Sequence, residues 1–220
     1  PVLSSAASDV YKRQGVDWGT SSFRAWLFDD KGGVLGLVQG PFGIRQITER
    51  SFEKTLRMAI GSWLVEHEDI AIIMCGMIGS AQGWYEAGYL SGQNGVDELS
   101  SGMVKVPDTQ LNVMIVPGIR GVSVAGLNDV VRGEETLLAG WLKQPTDCEA
   151  VFCLPGTHSK WIVAREGQVN HLTTFMTGEL FELMRTRSIL APLIDSQAVA
   201  DSKSEIFCKG LTLAQSPIGL

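Results

Sequence analysis

Short apolar runs bounded by turn residues alternate along this chain with stretches of helical period. "GVDWGTSSFRAWLFDDKGGVL" (15–35) reads as a strand that breaks at an acid, passes through Gly-Thr-Ser-Ser and resumes as a strand over 23–29. "DKGG" supplies a hairpin turn before a further strand over 34–38. Over 52–67 the apolar residues fall at 52, 56, 59, 60, 63 and 64, the period of an amphipathic helix. "IAIIMCG" (70–76) is apolar throughout, as a central strand covered on both faces would be. "MIVPG" (114–118) ends another strand. The stretch 129–142 is predicted as a second amphipathic helix, with Leu137, Leu138, Trp141 and Leu142 near one side. Strands and helices in this mixture define an α/β chain.

The segment 151–175, "VFCLPGTHSKWIVAREGQVNHLTTF", repeats the design of the opening. Gly156-Thr157 answers Gly19-Thr20, Lys160 answers Arg24, and Trp161 answers Trp26. Each Gly-Thr pair sits between a strand and a hairpin whose turn carries glycine. Two such turns in one context predict two related half-domains facing each other, a duplication rather than a short-period solenoid. The first unit is expected over 15–145 and the second over 146–220, where the residues remaining suffice only for a truncated copy. The first fourteen residues, "PVLSSAASDVYKRQ", show no sustained period and lack the basic start and apolar core of a secretory signal. They are expected to be a non-native extension, a sequence-assembly scar.

Composition narrows the function classes. The chain has 220 residues, 45% hydrophobic and 19% charged, with a formal net charge of −6. That balance gives no bulk attraction to nucleic acid or to an anionic membrane surface. No apolar run approaches the roughly 20 residues of a membrane span. Cys75, Cys148, Cys153 and Cys208 include no C-x-x-C pair, and the three histidines are scattered, so no zinc set is visible. Cys75 and Cys153 lie in apolar runs and are expected to be buried free thiols of a reducing, cytoplasmic compartment.

The chemistry-bearing residues gather in five places. In the opening loop, Gly19 lets backbone approach a phosphate, Thr20, Ser21 and Ser22 can donate to phosphate oxygens, and Arg24 adds a forked cation. Asp17 could hold Mg²⁺, mostly through water. Alone, the loop reads more readily as a plain β-turn with an Asp cap; paired with the second loop, the phosphate reading is favoured. In the second loop, Gly156 and Thr157 follow the same logic, and His158 and Lys160 could meet phosphate charge, though a lone turn histidine is often structural. Pro155 stands where an acid would be, which leaves metal binding to the first loop. "CGMIGS" ends a strand with Gly76, Gly79 and Ser80 in a turn, where open α/β sheets bind ligands or simply turn into a helix. "NDVVRGEET" brings Asp129, Arg132, Glu134 and Glu135 together, either as a base for a substrate hydroxyl or as acids that suit a helix dipole. Thr177, Gly178 and Glu179 open a further helix, whose N-terminus could bind an anion or be a plain cap.

Taken in order, "DWGTSSFRAWL", "CGMIGSAQGW", "VPG", "VVRGEETLLAG", "LPGTHSKWI" and "FMTGEL" resemble the 2-dehydro-3-deoxygalactonokinase family, within the sugar kinase, actin and heat-shock chaperone superfamily. The resemblance covers about 15–210. It implies a ribonuclease H-like, actin-like ATPase fold with duplicated domains of mixed sheets flanked by helices. It implies ATP and Mg²⁺ as cofactors and a small-molecule sugar acid as partner: phosphorylation of 2-dehydro-3-deoxy-D-galactonate to its 6-phosphate in galactonate catabolism. Asp17, Gly19, Thr20 and Arg24 then match the first phosphate loop, and Gly156, Thr157, His158 and Lys160 the second. Arg132, Glu134 and Glu135 match the helix motif, with either Asp129 or Glu134 as the base. The Gly-Glu-Glu motif also looks like that of exopolyphosphatases, so a phosphohydrolase is the alternative activity and a non-catalytic nucleotide-binding protein the other. A Gly-rich segment that contacts adenosine in the superfamily has no counterpart in this sequence. Epimer preference and self-association, homo-oligomer included, stay open.

Overall fold

The computed structural model describes residues 13–66, 70–142, 149–194 and 201–215. Its contacts divide the chain into two compact units at Met176/Thr177. The boundary expected at 145/146 and the extension as far as residue 12 lie outside the described residues. Arg13 and Gln14, counted with that extension, are the first two residues of a strand.

The first unit contains β1 (Arg13–Trp18), β2 (Phe23–Phe28), β3 (Val34–Gly40), α1 (Phe52–Glu66), β4 (Ala71–Cys75), β5 (Tyr89–Ser91), β6 (Val104–Lys105), β7 (Val113–Ile115), β8 (Gly118–Val122), β9 (Asn128–Val131), α2 (Glu134–Leu142), β10 (Ala150–Leu154), β11 (Ser159–Arg165) and β12 (Gln168–Phe175). A six-stranded mixed sheet runs β3-β2-β1-β4-β7-β6. β1, β2 and β3 form an antiparallel meander, and β4 and β7 then add in parallel beside β1. Two three-stranded sheets complete the unit, β10-β11-β12 and β5-β8-β9.

The apolar run of β4 occupies the middle of the large sheet, as its composition predicts. Ile72 and Met74 face one core with Phe52, Leu56 and Ile60 of α1. Ile73 and Cys75 face the other, packed against Leu138 of α2, Ile119 of β8, Ile162 of β11 and Leu172 of β12. Both faces are therefore closed to water, and the hydrophobic effect holds the small sheets and α2 on one side of the large sheet and α1 on the other.

The predicted helix over 129–142 is shorter than its pattern. Residues 128–131 pair antiparallel with β8, and the helix begins only at Glu134. Two β-branched residues favour the strand, and Gly133 at φ +108° separates it from the helix. Of the four apolar residues expected on one side of that helix, Leu138 is buried while Leu137 and Trp141 are exposed.

The thiols also differ from expectation. Cys75 is half-buried, while Cys153 and Cys208 are exposed. β10 lies at the edge of a three-stranded sheet and only half-buries alternate residues, so an apolar run there does not imply burial on both faces. Cys148 lies outside the described residues.

The second unit, taken by itself, contains α3 (Thr177–Arg187) and α4 (Glu205–Ala214). α3 starts at the predicted Thr177-Gly178-Glu179, and Ser204 caps α4 by accepting from Phe207 N–H. Neither helix buries a residue, and Leu180, Phe181, Ile206 and Leu211 are exposed. Among the described residues no helix is long and apolar enough to cross a membrane.

Gln14 conflicts with its surroundings. It lies on the buried face of β1 with Val16 and Trp18, opposite Leu27 and Ile72, and neither amide atom has a hydrogen-bond partner. A buried unsatisfied amide is destabilising. Gln14→Met should raise stability by about 2 kcal/mol, read as a higher urea midpoint at unchanged slope. An unchanged or lower midpoint would show that the amide is satisfied.

Candidate active site

The site starts from the anchoring of the β1–β2 loop. Trp18 is fully buried, edge-on to Phe23 at 4.9 Å and Phe52 at 5.8 Å, and its Nε1 donates to Phe42 O at 2.6 Å. The loop then closes on itself and on the segment beneath it. Gly19 N–H donates to Ser22 O at 2.9 Å, Ile44 N–H to Gly19 O at 3.0 Å and Arg45 N–H to Thr20 O at 3.2 Å. Gly43 lies against Ser21 so tightly that a Cβ there would come within 2.4 Å of the Ser21 backbone. The loop is thus held from below. The Gly19 N–H is used inside the turn.

A second constraint brings α2 to the same place. Gly76, immediately after β4, has φ +92°, and a Cβ there would lie 2.8 Å from Trp18 O. Gly133 has φ +108°, and its Cβ would lie 3.2 Å from Gly76 Cα. Both positions need glycine, for conformation and for space. Their contact sets the start of α2 over the ends of β1 and β4.

These elements enclose a cleft of about 630 Å³. One wall is the first loop, with Asp17, Gly19, Thr20, Ser22 and Arg24. Another wall is the β10–β11 loop, with Gly156, Thr157, His158 and Lys160. Gly76, Arg132, Gly133 and Glu134 close the space between. Asp17 and Arg24 are cross-strand partners, and their side chains form an ion pair at 2.5 Å. In the second hairpin the same register pairs Leu154 with Lys160, so Leu154, not Pro155, stands where the acid stands in the first.

The three candidate carboxylates lie in three environments. Glu134 lines the cleft, and its Oε2 accepts from Arg132 N–H at 3.1 Å. Glu135 points inward and is fully buried, and its Oε2 accepts from Gly133 N–H at 2.5 Å. Burial pushes the Glu135 carboxyl up to about 7, against the pull of the Gly133 N–H. Asp129 is on β9, not at the helix start its apolar pattern predicts, and lines a different cleft of about 790 Å³. Its Oδ2 accepts from Thr174 N–H at 2.7 Å, and its Oδ1 from Thr174 Oγ1 at 2.8 Å and Val130 N–H at 2.7 Å. Arg132 is buried. It donates to Gly88 O at 2.7 Å and stacks 4.2 Å from the Tyr89 ring centroid. Cys75 sets its thiol among Asp17, Glu135 and Thr136, and burial together with the two acids pushes it up to about 12, too high for a nucleophile.

Several candidates stand elsewhere. Ser21 is exposed and does not line the cleft, although its neighbour Ser22 does. Gly79 is buried under Arg132 Nη1, and the Ser80 hydroxyl donates to Met77 O, so that turn closes on itself. Thr177, Gly178 and Glu179 belong to the second unit. Tyr89, which lines the cleft, carried no signal in the sequence because β5 is only three residues long. Gly133 could have been found from glycine directly before a Glu-Glu helix start.

Among the described residues no three Asp, Glu, His or Cys side chains converge to hold a metal. Two carboxylates, Asp17 and Glu134, line the cleft. That fits Mg²⁺, which takes one or two protein carboxylates and completes its shell with phosphate oxygens and water.

An α/β fold with two loop walls, flanking cations and a cleft carboxylate has the equipment of a phosphate-handling protein. The profile of the family described as 2-keto-3-deoxy-galactonokinase matches residues 17–220, and the chain belongs to that family. It is 36% identical over 187 residues to the probable 2-dehydro-3-deoxygalactonokinase of Rhizobium meliloti (strain 1021), covering 85% of this chain and 59% of the relative. It is 32% identical over 196 residues to the 2-dehydro-3-deoxygalactonokinase of Escherichia coli (strain K12), covering 89% and 63%. A crystal structure of a Sinorhizobium meliloti protein, provisionally assigned as a 2-dehydro-3-deoxygalactonokinase, superposes with a TM-score of 0.82 at 32% identity, covering 91% of this chain and 66% of that one. The chain spans about three fifths of the length of these curated relatives.

Glu135 makes stability depend on pH. Its carboxyl is raised from 4.5 to about 7 in the folded protein, so folding favours the protonated form. The contribution is fully present below pH 4.5 and is lost as pH rises through about 7. Glu135→Gln should therefore gain stability relative to the parent between those limits, by roughly 3 kcal/mol, in urea titrations at the two pH values. A difference that does not change with pH would mean that the carboxyl titrates normally.

Proposed function

We propose that this cleft transfers the γ-phosphoryl group of ATP to 2-dehydro-3-deoxy-D-galactonate, giving the 6-phosphate, in an enzyme of cytoplasmic galactonate catabolism. The observation that carries the reading is that the two Gly-Thr loops line one cleft, each with a cation on the following strand. On this reading the meanders β1–β3 and β10–β12 open two duplicated halves of a ribonuclease H-like, actin-like ATPase fold, over 15–145 and from 146 onward.

The roles follow from the surroundings. Asp17 would hold Mg²⁺, which supplies charge neutralisation on the phosphates. Arg24 and Lys160 bring positive charge to the same space, and the hydroxyls of Thr20, Ser22 and Thr157 can donate to phosphate oxygens. Gly19 and Gly156 keep the loop backbones free of side chains at the walls, and His158 stands beside them. Glu134 is the base that takes the proton of the attacking hydroxyl, because its carboxylate alone among the three candidates faces the cleft. The Arg132 N–H orients it. Glu135 holds the turn behind it.

The test is Mg-dependent ADP release from ATP against a panel of 2-keto-3-deoxy sugar acids. Release is expected with 2-keto-3-deoxy-galactonate and not without a sugar acid. Glu134→Gln should lower kcat by at least about 100-fold with little change in KM, and Asp17→Asn should abolish the Mg-dependent activity. ATP or polyphosphate hydrolysis that needs no sugar acid would replace the kinase with a phosphohydrolase. Full activity of Asp17→Asn would remove the metal assignment.

A further inference from the structure

Lys160 is held by an arrangement that the kinase reading does not use. From β11 its Nζ donates to Val130 O of β9 at 2.7 Å and to Thr174 Oγ1 of β12 at 2.8 Å. The Thr174 hydroxyl is in turn 2.8 Å from Asp129 Oδ1. The direction of these bonds is fixed by chemistry. An ammonium can only donate and a carboxylate can only accept, so the hydroxyl accepts from Lys160 and gives its proton to Asp129. Thr174 N–H donates to the other Asp129 oxygen at 2.7 Å, which fixes the backbone of β12 to the same carboxylate. Two of the three ammonium protons are thereby committed, and one remains for an anion in the cleft that Lys160 lines.

We propose that Asp129 and Thr174 are positioning residues for Lys160: the chain from ammonium to hydroxyl to carboxylate holds the cation ready for the phosphate groups of the bound nucleotide. A lysine side chain is long and flexible, and ordering it at the moment of binding costs affinity. Here the ordering is done beforehand by bonds to two other strands. Polarisation of the hydroxyl by Asp129 makes it a better acceptor for Lys160. Asp129 thus acts through Lys160 and does not touch the reacting atoms. The inference rests on the phosphate-binding reading of the cleft.

The experiment compares the parent chain with Thr174→Val, Thr174→Ser and Lys160→Met, and uses two readouts. The first is calorimetric affinity for inorganic triphosphate with Mg²⁺, alongside KM for ATP where turnover is present. Thr174→Val should weaken affinity about tenfold, as expected for losing a hydrogen bond to a charged group, while Thr174→Ser stays at the parent value. In a Lys160→Met background Thr174→Val should add no further loss, which a general structural role for Thr174 would. The second readout is the rate of trace acetylation of Lys160, followed by mass spectrometry, which needs no catalysis. It should rise severalfold in Thr174→Val and not in Thr174→Ser. Should the valine variant fail to fold, Thr174→Ala removes the hydroxyl without adding bulk. Unchanged affinity, or an equal loss in the Lys160→Met background, overturns the proposal. A parent chain that binds no triphosphate but shows the acetylation response would sink the reading of the cleft, and with it the purpose assigned to the clamp, while leaving the bond between Lys160 and Thr174 established.

Discussion

Two glycine backbones in contact, Gly76 and Gly133, set the position of everything that faces the cleft. Gly76 must turn with positive φ directly against the carbonyl of Trp18, and Gly133 must lie against Gly76. A side chain at Gly76 would meet the Trp18 carbonyl, and one at Gly133 would crowd Gly76 and need a φ that side chains rarely adopt. The start of α2 can therefore approach the ends of β1 and β4 more closely than a helix with ordinary residues there could. That closeness puts Glu134 into the same space as Asp17, and it buries Glu135 beside Cys75. The shift of the Glu135 carboxyl and that of the Cys75 thiol are two results of one packing constraint, the exclusion of water behind the helix start.

Three acids within seven residues show how environment divides one chemistry into separate tasks. Glu134 and Glu135 are adjacent on the first turn of α2, so the rotation of the helix sends one to the cleft and the other to the core. Asp129 lies on a strand and spends both oxygens on Thr174 and Val130. A carboxylate with both oxygens engaged in this way, and lining a different cleft, serves as an anchor. On the proposed mechanism that difference, and not the order of residues, selects the base.

The sequence was most legible where local pattern and tertiary environment agree. β1 to β4 and α1 follow their apolar periods because one large core covers them. The two Gly-Thr loops were visible as a repeat because each is bounded by strands of ordinary length. The pattern over 129–133 misleads because the helical period at 137, 138, 141 and 142 continues backwards across Gly133 in the sequence but not in the fold. β7 was legible from the "MIVPG" run, but β5, β6, β8 and β9 gave no signal, since strands of two to five residues owe their existence to partners distant in sequence. The failures at Cys153 and Ser21 have one cause: an apolar run or a hydroxyl cluster does not say which alternate residues face water. Asp129 illustrates the limit most clearly, because its role depends on Thr174, 45 residues away.

The two walls of the cleft are alike in backbone and unlike in charge. In the first hairpin the cation is matched by its own acid, Asp17 beside Arg24, in a partly exposed pair whose attraction is largely screened. In the second the equivalent of the acid is Leu154, and Lys160 is tied to a carbonyl and a hydroxyl that leave its charge uncancelled by direct contact. A wall with an acid suits a metal ion, and a wall with an uncancelled cation suits bare phosphate oxygens. A metal-bound polyphosphate presents both surfaces at once. On the proposed reading, divergence of one cross-strand pair between the two hairpins, Asp–Arg in one and Leu–Lys in the other, fixes which way round that ligand lies.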